Sequence, residues 1–332
     1  MLITLQLLAC TVVIVFAGSR ISRYGDVIAE KTGMGRTWIG VILMASVTSL
    51  PELVTGISSV TLYNLPNIAA GDVFGSCMFN LLILAMLDVG TKQAPISSVA
   101  HQGQVLSASF GTLLLGVATA AMMASDSLPA FGWVGASSVV LLLLYAVAMR
   151  AVFKYEKRKM AEFLSELAEQ PQYARTSTGE AIRRFALYAA VLVAAAAYLP
   201  RVADEFATVT GLGRTFVGTF FVALATSLPE IVVSGTAVRM GAVDLAMGNV
   251  LGSNLFNLAI LAVDDLLYFE GPILSHVSAN HAVTAVAAMT MTAIAIIALT
   301  YRSKKRILYF SWESLGIALV YLVTTLILFA RR

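Results

Sequence analysis

The sequence predicts an all-α integral membrane protein with ten transmembrane helices arranged as two inverted five-helix repeats. Three observations predict it: an apolar composition, ten long apolar stretches, and an internal repeat at near-constant offset. Of 332 residues 58% are hydrophobic and only 12% charged, with a mean hydropathy of +0.84. Soluble domains carry roughly 25% charged residues. A spanning helix needs about 20 apolar residues. The stretches fall near 2–18, 37–62, 68–88, 104–123, 131–150, 185–200, 215–238, 244–268, 279–299 and 308–330.

The first stretch is read as a helix, because it lacks the basic leader and clean cleavage site of a signal peptide and is followed by Arg20 and Arg23. Residues 1–150 form the first five-helix repeat, 151–184 a cytoplasmic linker, and 185–332 the second repeat. The linker holds Glu and Lys in alternation, and its first part extends helix five into water. Orientation follows from the basic residues, which are retained on the cytoplasmic side. With both termini outside, eighteen of the 22 Lys and Arg lie in inner loops, leaving Arg201, Arg214, Arg331 and Arg332 outside. The net charge of +3 is therefore a topology signal and requires no nucleic-acid partner. Cys10 and Cys77 lie inside apolar stretches, which excludes a disulfide framework or thiolate metal site.

The repeat pairs Asp26, Gly33, Gly35, Arg36, Thr37, Gly40 and Thr48-Ser49-Leu50-Pro51-Glu52 with residues 178 positions on, ending in Thr226-Ser227-Leu228-Pro229-Glu230. After a one-residue shift, Gly71, Gly75, Ser76, Phe79 and Asn80 match Gly248, Gly252, Ser253, Phe256 and Asn257. The duplicated segments span about 37–88 and 215–268. Five helices per half is an odd number, so the second half enters the membrane from the opposite side. Such inverted repeats place binding sites near the bilayer midplane, on interrupted helices.

The chemistry sits on those motifs. Pro51 and Pro229 free the carbonyls of Val47 and Ala225 four residues back, which lipid tolerates only where something re-satisfies them. Glu52 and Glu230 each cost about 2.5–3.5 kcal/mol near the bilayer centre, even on the lenient insertion scale. Brought together by symmetry they repel, unless protonated or bridged by a cation. Asp72, Ser76 and Asn80 lie at i, i+4, i+8 on one helix face, as do Asn249, Ser253 and Asn257. This set of hard oxygens suits Ca²⁺, Mg²⁺, Mn²⁺ or Na⁺ rather than zinc or copper; Ca²⁺ accepts the flexible coordination such a site offers, and Mg²⁺, which dehydrates reluctantly, fits worse.

These motifs, TSLPE twice, then GDVFGSCMFN and GNVLGSNLFN, resemble the two α-repeats of the sodium/calcium exchanger family and the wider cation/Ca²⁺ exchangers. The resemblance implies an antiporter exchanging Ca²⁺ for Na⁺ by alternating access, with helices one and six sliding across the rest. It implies Ca²⁺ ligands at Glu52, Glu230, Thr48 and Thr226. It implies Na⁺ or counter-ion ligands at Ala45, Ser49, Ser76, Asn80, Ala223, Ser227, Ser253 and Asn257. Asn stands at both 80 and 257, where relatives often carry one Asp, and Asp72 stands where the second half has Asn249. That pair is assigned to an access path, with pairing of Asp72 to a base the equal alternative. Exchange for H⁺ is the runner-up.

No cofactor is expected beyond the transported ions, and the partners are Ca²⁺, Na⁺ or H⁺ and the lipid bilayer, with a monomer as the expectation. A prokaryotic plasma membrane is expected, because the linker is too short for a large regulatory domain. An intramembrane hydrolase is disfavoured by the absence of HExxH and Gly-x-Ser-x-Gly motifs, and a nucleotide-driven pump by the absence of a P-loop. A channel differs only in whether the two ion fluxes are coupled. His101, His276 and His281 are read as interfacial or solvated, and Asp264 and Asp265, which end helix eight, as facing water or attracting cations at the outer mouth.

Overall fold

The computed structural model describes residues 1–32, 47–91, 94–101, 103–166, 177–307 and 309–331. Among them are α1 (Leu2–Thr32), α2 (Leu50–Thr61), α3 (Pro66–Gly90), α4 (Gly103–Met123), α5 (Ala136–Glu166), α6 (Thr178–Thr210), α7 (Arg214–Arg239), α8 (Val243–Leu267), α9 (Asn280–Tyr301) and α10 (Trp312–Ala330). All but α2 are long and apolar enough to cross a membrane. Residues 33–46, which include Ala45, Arg36, Trp38 and most of the apolar run preceding Thr48, lie outside the described residues, as do 167–176.

Two helices run well beyond their apolar stretches. α1 continues past Arg20 and Arg23 to Thr32, because Ile21, Tyr24 and Val27 remain buried. Tyr24 stacks on Tyr188 of α6 and accepts a hydrogen bond from Arg184 Nη1 at 2.8 Å. α6 passes through Pro200 to Thr210, where Gly211 closes it at φ 70°. A proline inside a helix removes one backbone bond, yet Leu199, Val202, Ala203 and Phe206 around it are buried in an apolar cluster shared with α1. Packing of that face outweighs the lost bond.

The apolar interior forms two main clusters. One joins α3, α4, α5, α8, α9 and α10. The other joins α1 and α6 to the start of α7 and to Leu65 and Ile68. α3 and α8 lie at the centre, packed on each other, and each also packs on the motif helix of the opposite half, α3 on α7 and α8 on α2.

The repeat is visible in details beyond the motifs. Short antiparallel ribbons precede α5 (Ala130–Phe131 with Val134–Gly135) and α10 (Arg306–Ile307 with Phe310–Ser311). Asn64 and Gly241, 177 residues apart, both turn the chain through positive φ, at 53° and 81°. Asp88 and Asp265, also 177 apart, tie these parts together. Asp88 accepts from the N–H of Ile96 (2.8 Å) and Ser311 (3.2 Å) and from Ser314 Oγ (3.0 Å). Asp265 accepts from the N–H of Ile273 (2.6 Å) and Gly135 (2.8 Å). Asp265 is thus a buried clamp and does not face water, and Asp264 beside it is buried as well. His281 is also buried, with Nε2 3.2 Å from Asn67 Oδ1, so it is neither interfacial nor solvated.

Removing the Asp88 carboxylate leaves the N–H groups of Ile96 and Ser311 without their acceptor in the interior, each costing about 1–3 kcal/mol, while Ser314 Oγ keeps Ser311 Oγ at 2.9 Å. Asp88→Ala should therefore lower the thermal midpoint in detergent strongly, Asp88→Asn less, and Asp265→Ala should behave as Asp88→Ala does. Melting curves of the three variants check this.

Candidate functional site

The first motif is a real interruption. Residues 47–48 are helical, Ser49 turns out of the helix at φ −87° and ψ 13°, and α2 restarts at Leu50 with Pro51 in its first turn. The second motif behaves differently. α7 stays α-helical from Ala223 to Arg239 through Pro229, and the irregularity lies upstream, in a π-type turn over Gly218–Val222. The expected break at Pro229 is therefore absent. An inserted residue in such a wide turn shifts the helical register, and wide turns are common at functional sites.

That wide turn is where α3 comes closest. A Cβ placed on Gly75 would collide with the Thr219 carbonyl oxygen, and one on Gly71 would sit 2.9 Å from the Gly218 backbone. Only hydrogen at those positions lets α3 press on the backbone of α7, the close approach small residues permit in membranes. The approach brings Asp72, Ser76 and Asn80 to the motif helix of the other half.

Across the interface the hydroxyls and carboxylates interlock reciprocally. Ser227 Oγ donates to Glu52 Oε1 at 2.9 Å and lies 2.9 Å from Ser76 Oγ. Ser49 Oγ donates to Glu230 Oε1 at 3.3 Å and lies 3.0 Å from Ser253 Oγ. Each glutamate is thus held by the serine of the other half. Thr226 Oγ1 donates to Asp72 Oδ1 at 2.8 Å, and Thr48 Oγ1 donates to Asn249 Oδ1 at 3.4 Å, so Asp72 and Asn249 occupy matching places. Both are buried in this network, and among the described residues Asp72 is held by Thr226 and Ser76, with no base among its hydrogen-bond partners. Farther along, Asn80 Nδ2 donates to Asn254 Oδ1 (3.0 Å), and Asn254 Nδ2 donates to the Cys77 carbonyl (3.1 Å).

Glu52 is 1% exposed, and Glu230, Asp72, Ser76, Asn80, Ser253 and Asn257 are fully buried. Among these buried groups several oxygens make no hydrogen bond to the described residues: Glu52 Oε2, Glu230 Oε2, Asp72 Oδ2, Asn80 Oδ1 and Asn257 Oδ1. Unmatched buried acceptors are costly. A cation of hard character offers each of them a partner. Among the described residues no three His, Cys, Asp or Glu side chains converge as a resident metal site would require. The network instead carries three carboxylates, Glu52, Glu230 and Asp72, which do not converge on one point, with neutral oxygens around them. Of the residues the sequence nominates, Thr48, Ser49, Glu52, Asp72, Ser76, Thr226, Ser227, Glu230, Asn249 and Ser253 fall in this hydrogen-bonded network. Asn80 lies in the asparagine pair beside it, and the Ala223 side chain packs at Gly75, 2.8 Å from where a Cβ would stand. Ala45 lies outside the described residues. Sequence reasoning missed the second partner of that pair, Asn254, and the Asp88/Asp265 clamps. The repeat offset of 177 was the signal for the clamps.

The chain matches the family model described as "Sodium/calcium exchanger protein" over residues 2–154 and 181–330. It is 26% identical over 267 residues to the putative antiporter CaxA of Alkalimonas amylolytica, covering 80% of each chain. It is 42% identical over 83 residues to the sodium/calcium exchanger MaX1 of Methanosarcina acetivorans, covering 25% of this chain and 24% of that one. Among solved structures it superposes on the H⁺/Ca²⁺ exchanger CAX with a TM-score of 0.73 at 15% identity, covering 99% of this chain and 85% of that one. It superposes on the sodium-calcium exchanger NCX_Mj with a TM-score of 0.62 at 19% identity, covering 97% of each. At these identities the superpositions establish the fold.

Gly75→Ala should force α3 away from the wide turn at a cost of about 1–3 kcal/mol, lowering the thermal midpoint. Gly111→Ala, inside a helix and with nothing within 4 Å of the added Cβ, should not lower it in the same assay, since alanine favours the helix over glycine.

Proposed function

Because this chain belongs to the sodium/calcium exchanger protein family, a multi-pass membrane antiporter family, we propose that it exchanges Ca²⁺ for Na⁺ by alternating access at the interface of its two halves. The observation that carries this is the reciprocal pair of buried glutamates, each with one oxygen held by the opposite half and the other without a partner among the described residues. Two carboxylates balance the charge of one Ca²⁺. The backbone carbonyls of Thr48 and Thr226 would add neutral oxygens beside Glu52 and Glu230, as the resemblance implies, and Pro229 leaves the neighbouring Ala225 carbonyl without its helical N–H.

Na⁺ would occupy the flanks of the same site when Ca²⁺ leaves, using the hydroxyls of Ser49, Ser76, Ser227 and Ser253, the amide oxygens of Asn80 and Asn257, and the carbonyls of Ala45 and Ala223. Protons need only the carboxylates. The unpartnered amide oxygens of Asn80 and Asn257 favour a metal counter-ion over H⁺. Exchange for H⁺ is the second reading, favoured by Asp72, a further buried carboxylate whose place in the other half is taken by the amide of Asn249.

Alternating access needs one part of the molecule to move against another. α1 and α6 share an apolar cluster largely separate from the one joining α3, α4, α5 and α8–α10, so the pair can slide as a unit without opening the larger core. The membrane is read as a prokaryotic plasma membrane, with both termini outside on the strength of the basic-residue asymmetry.

Vesicles loaded with Na⁺ and diluted into Na⁺-free buffer should take up ⁴⁵Ca²⁺, and uptake should vanish when the Na⁺ gradient is collapsed. Uptake driven only by a proton gradient would assign the counter-ion to H⁺, and no Ca²⁺ flux with either gradient would sink the Ca²⁺ assignment. Glu52→Gln and Glu230→Gln should each weaken Ca²⁺ binding by about 100-fold or more, since each leaves a buried charge uncompensated. Equilibrium ⁴⁵Ca²⁺ binding in detergent measures that loss.

A further inference from the structure

Asp264 on α8 is fully buried, and neither of its carboxylate oxygens makes a hydrogen bond to the described residues. It faces α2 at Gly56, where an added Cβ would lie 2.5 Å from Oδ2 and 2.7 Å from Oδ1. Gly56 is four residues beyond Glu52, hence one turn further on the same face of α2. Asp264 is seven residues beyond Asn257 and eleven beyond Ser253, two and three helical turns along one face, and so about 10 Å past Asn257 at 1.5 Å per residue. The stripe of α8 that enters the central site therefore continues to a carboxylate, along a seam that α2 leaves open by having glycine there. Asn257, whose amide also has no partner among the described residues, stands between the two.

Packing does not demand this acid. The repeat offset of 177 places Leu87 at the equivalent position of α3, and Leu87 packs against the opposite motif helix with Cδ2 3.8 Å from where a Cβ on Gly235 would stand. The first half thus carries a leucine at this place, and the second a buried carboxylate with no hydrogen-bond partner among the described residues. An ionisable side chain inside a membrane-spanning helix, with no local partner, marks an ion path by default. Asp265, its neighbour, is occupied by the N–H groups of Ile273 and Gly135 and is not free to serve.

The geometry points to Asp264 as a second cation station, which holds the transported cation briefly on its way between the central site and the membrane face where α2 and α8 end. This rests on the central-site reading above. It makes the two access routes unequal: the α2/α8 route is acidic and the α7/α3 route apolar. A carboxylate lining a narrow route raises the local cation concentration and the rate of entry without altering equilibrium affinity at the site beyond it.

Asp264→Asn keeps the shape and removes the charge. In vesicles of uniform orientation, the KM for Ca²⁺ presented at the face where α8 ends should rise about tenfold. The KM at the opposite face, and the equilibrium Kd for ⁴⁵Ca²⁺ in detergent, should stay within about twofold of the unsubstituted protein. An unchanged KM at both faces would make Asp264 a packing residue and overturn the station. A Kd weakened together with both KM values would place it in the central site and overturn the station equally. Glu52→Gln in the same binding assay reports on the central site separately, so failure of one reading is distinguishable from failure of the other.

Discussion

Two glutamates buried in the middle of an apolar bundle set the constraint under which the rest of this molecule is built. A carboxylate in that environment must have donors or a cation, and the fold supplies half of what is needed. Ser227 reaches across to Glu52 and Ser49 across to Glu230, so each half helps to satisfy the acid of the other. Separating the halves would strip both carboxylates of these bonds. The second oxygen of each glutamate makes no hydrogen bond to the described residues, and under the proposed function a cation completes the shell.

The glycines of α3 serve this constraint. Without a side chain at Gly71 and Gly75, α3 rests on the backbone of the wide turn in α7, and Ser76 comes within 2.9 Å of Ser227. The chain turns at Ser49 but runs α-helical past its counterpart Ser227, yet each serine reaches the glutamate of the other half. The duplicated sequence thus gives equivalent contacts through backbones that differ at this point.

Away from the centre, Asp88 and Asp265 anchor α3 and α8 to the connectors and to the starts of α10 and α5. Their hydrogen bonds go to backbone N–H groups whose positions are fixed by the ribbons before those helices. The two central helices are thereby held to the larger apolar cluster, while α1 and α6 pack in the other.

The sequence by itself determined the membrane class, the helix count, the inverted repeat and the residues of the central network, because hydrophobic length and duplicated motifs are local signals that survive without coordinates. The ends of α1 and α6 were not legible, since Pro200 and Arg20 read as stops until the burial of Leu199, Val202, Ile21 and Tyr24 against the partner helix is known. The burial of His281 and Asp265, near helix ends that looked wet, was likewise decided by neighbours distant in the chain. Asn254 gained its role only from Asn80 across the interface. Pro51 interrupts its helix and Pro229 does not, although both sit in the same Thr-Ser-Leu-Pro-Glu motif. Only the tertiary structure decided that, because whether a helix tolerates a proline depends on what packs around it.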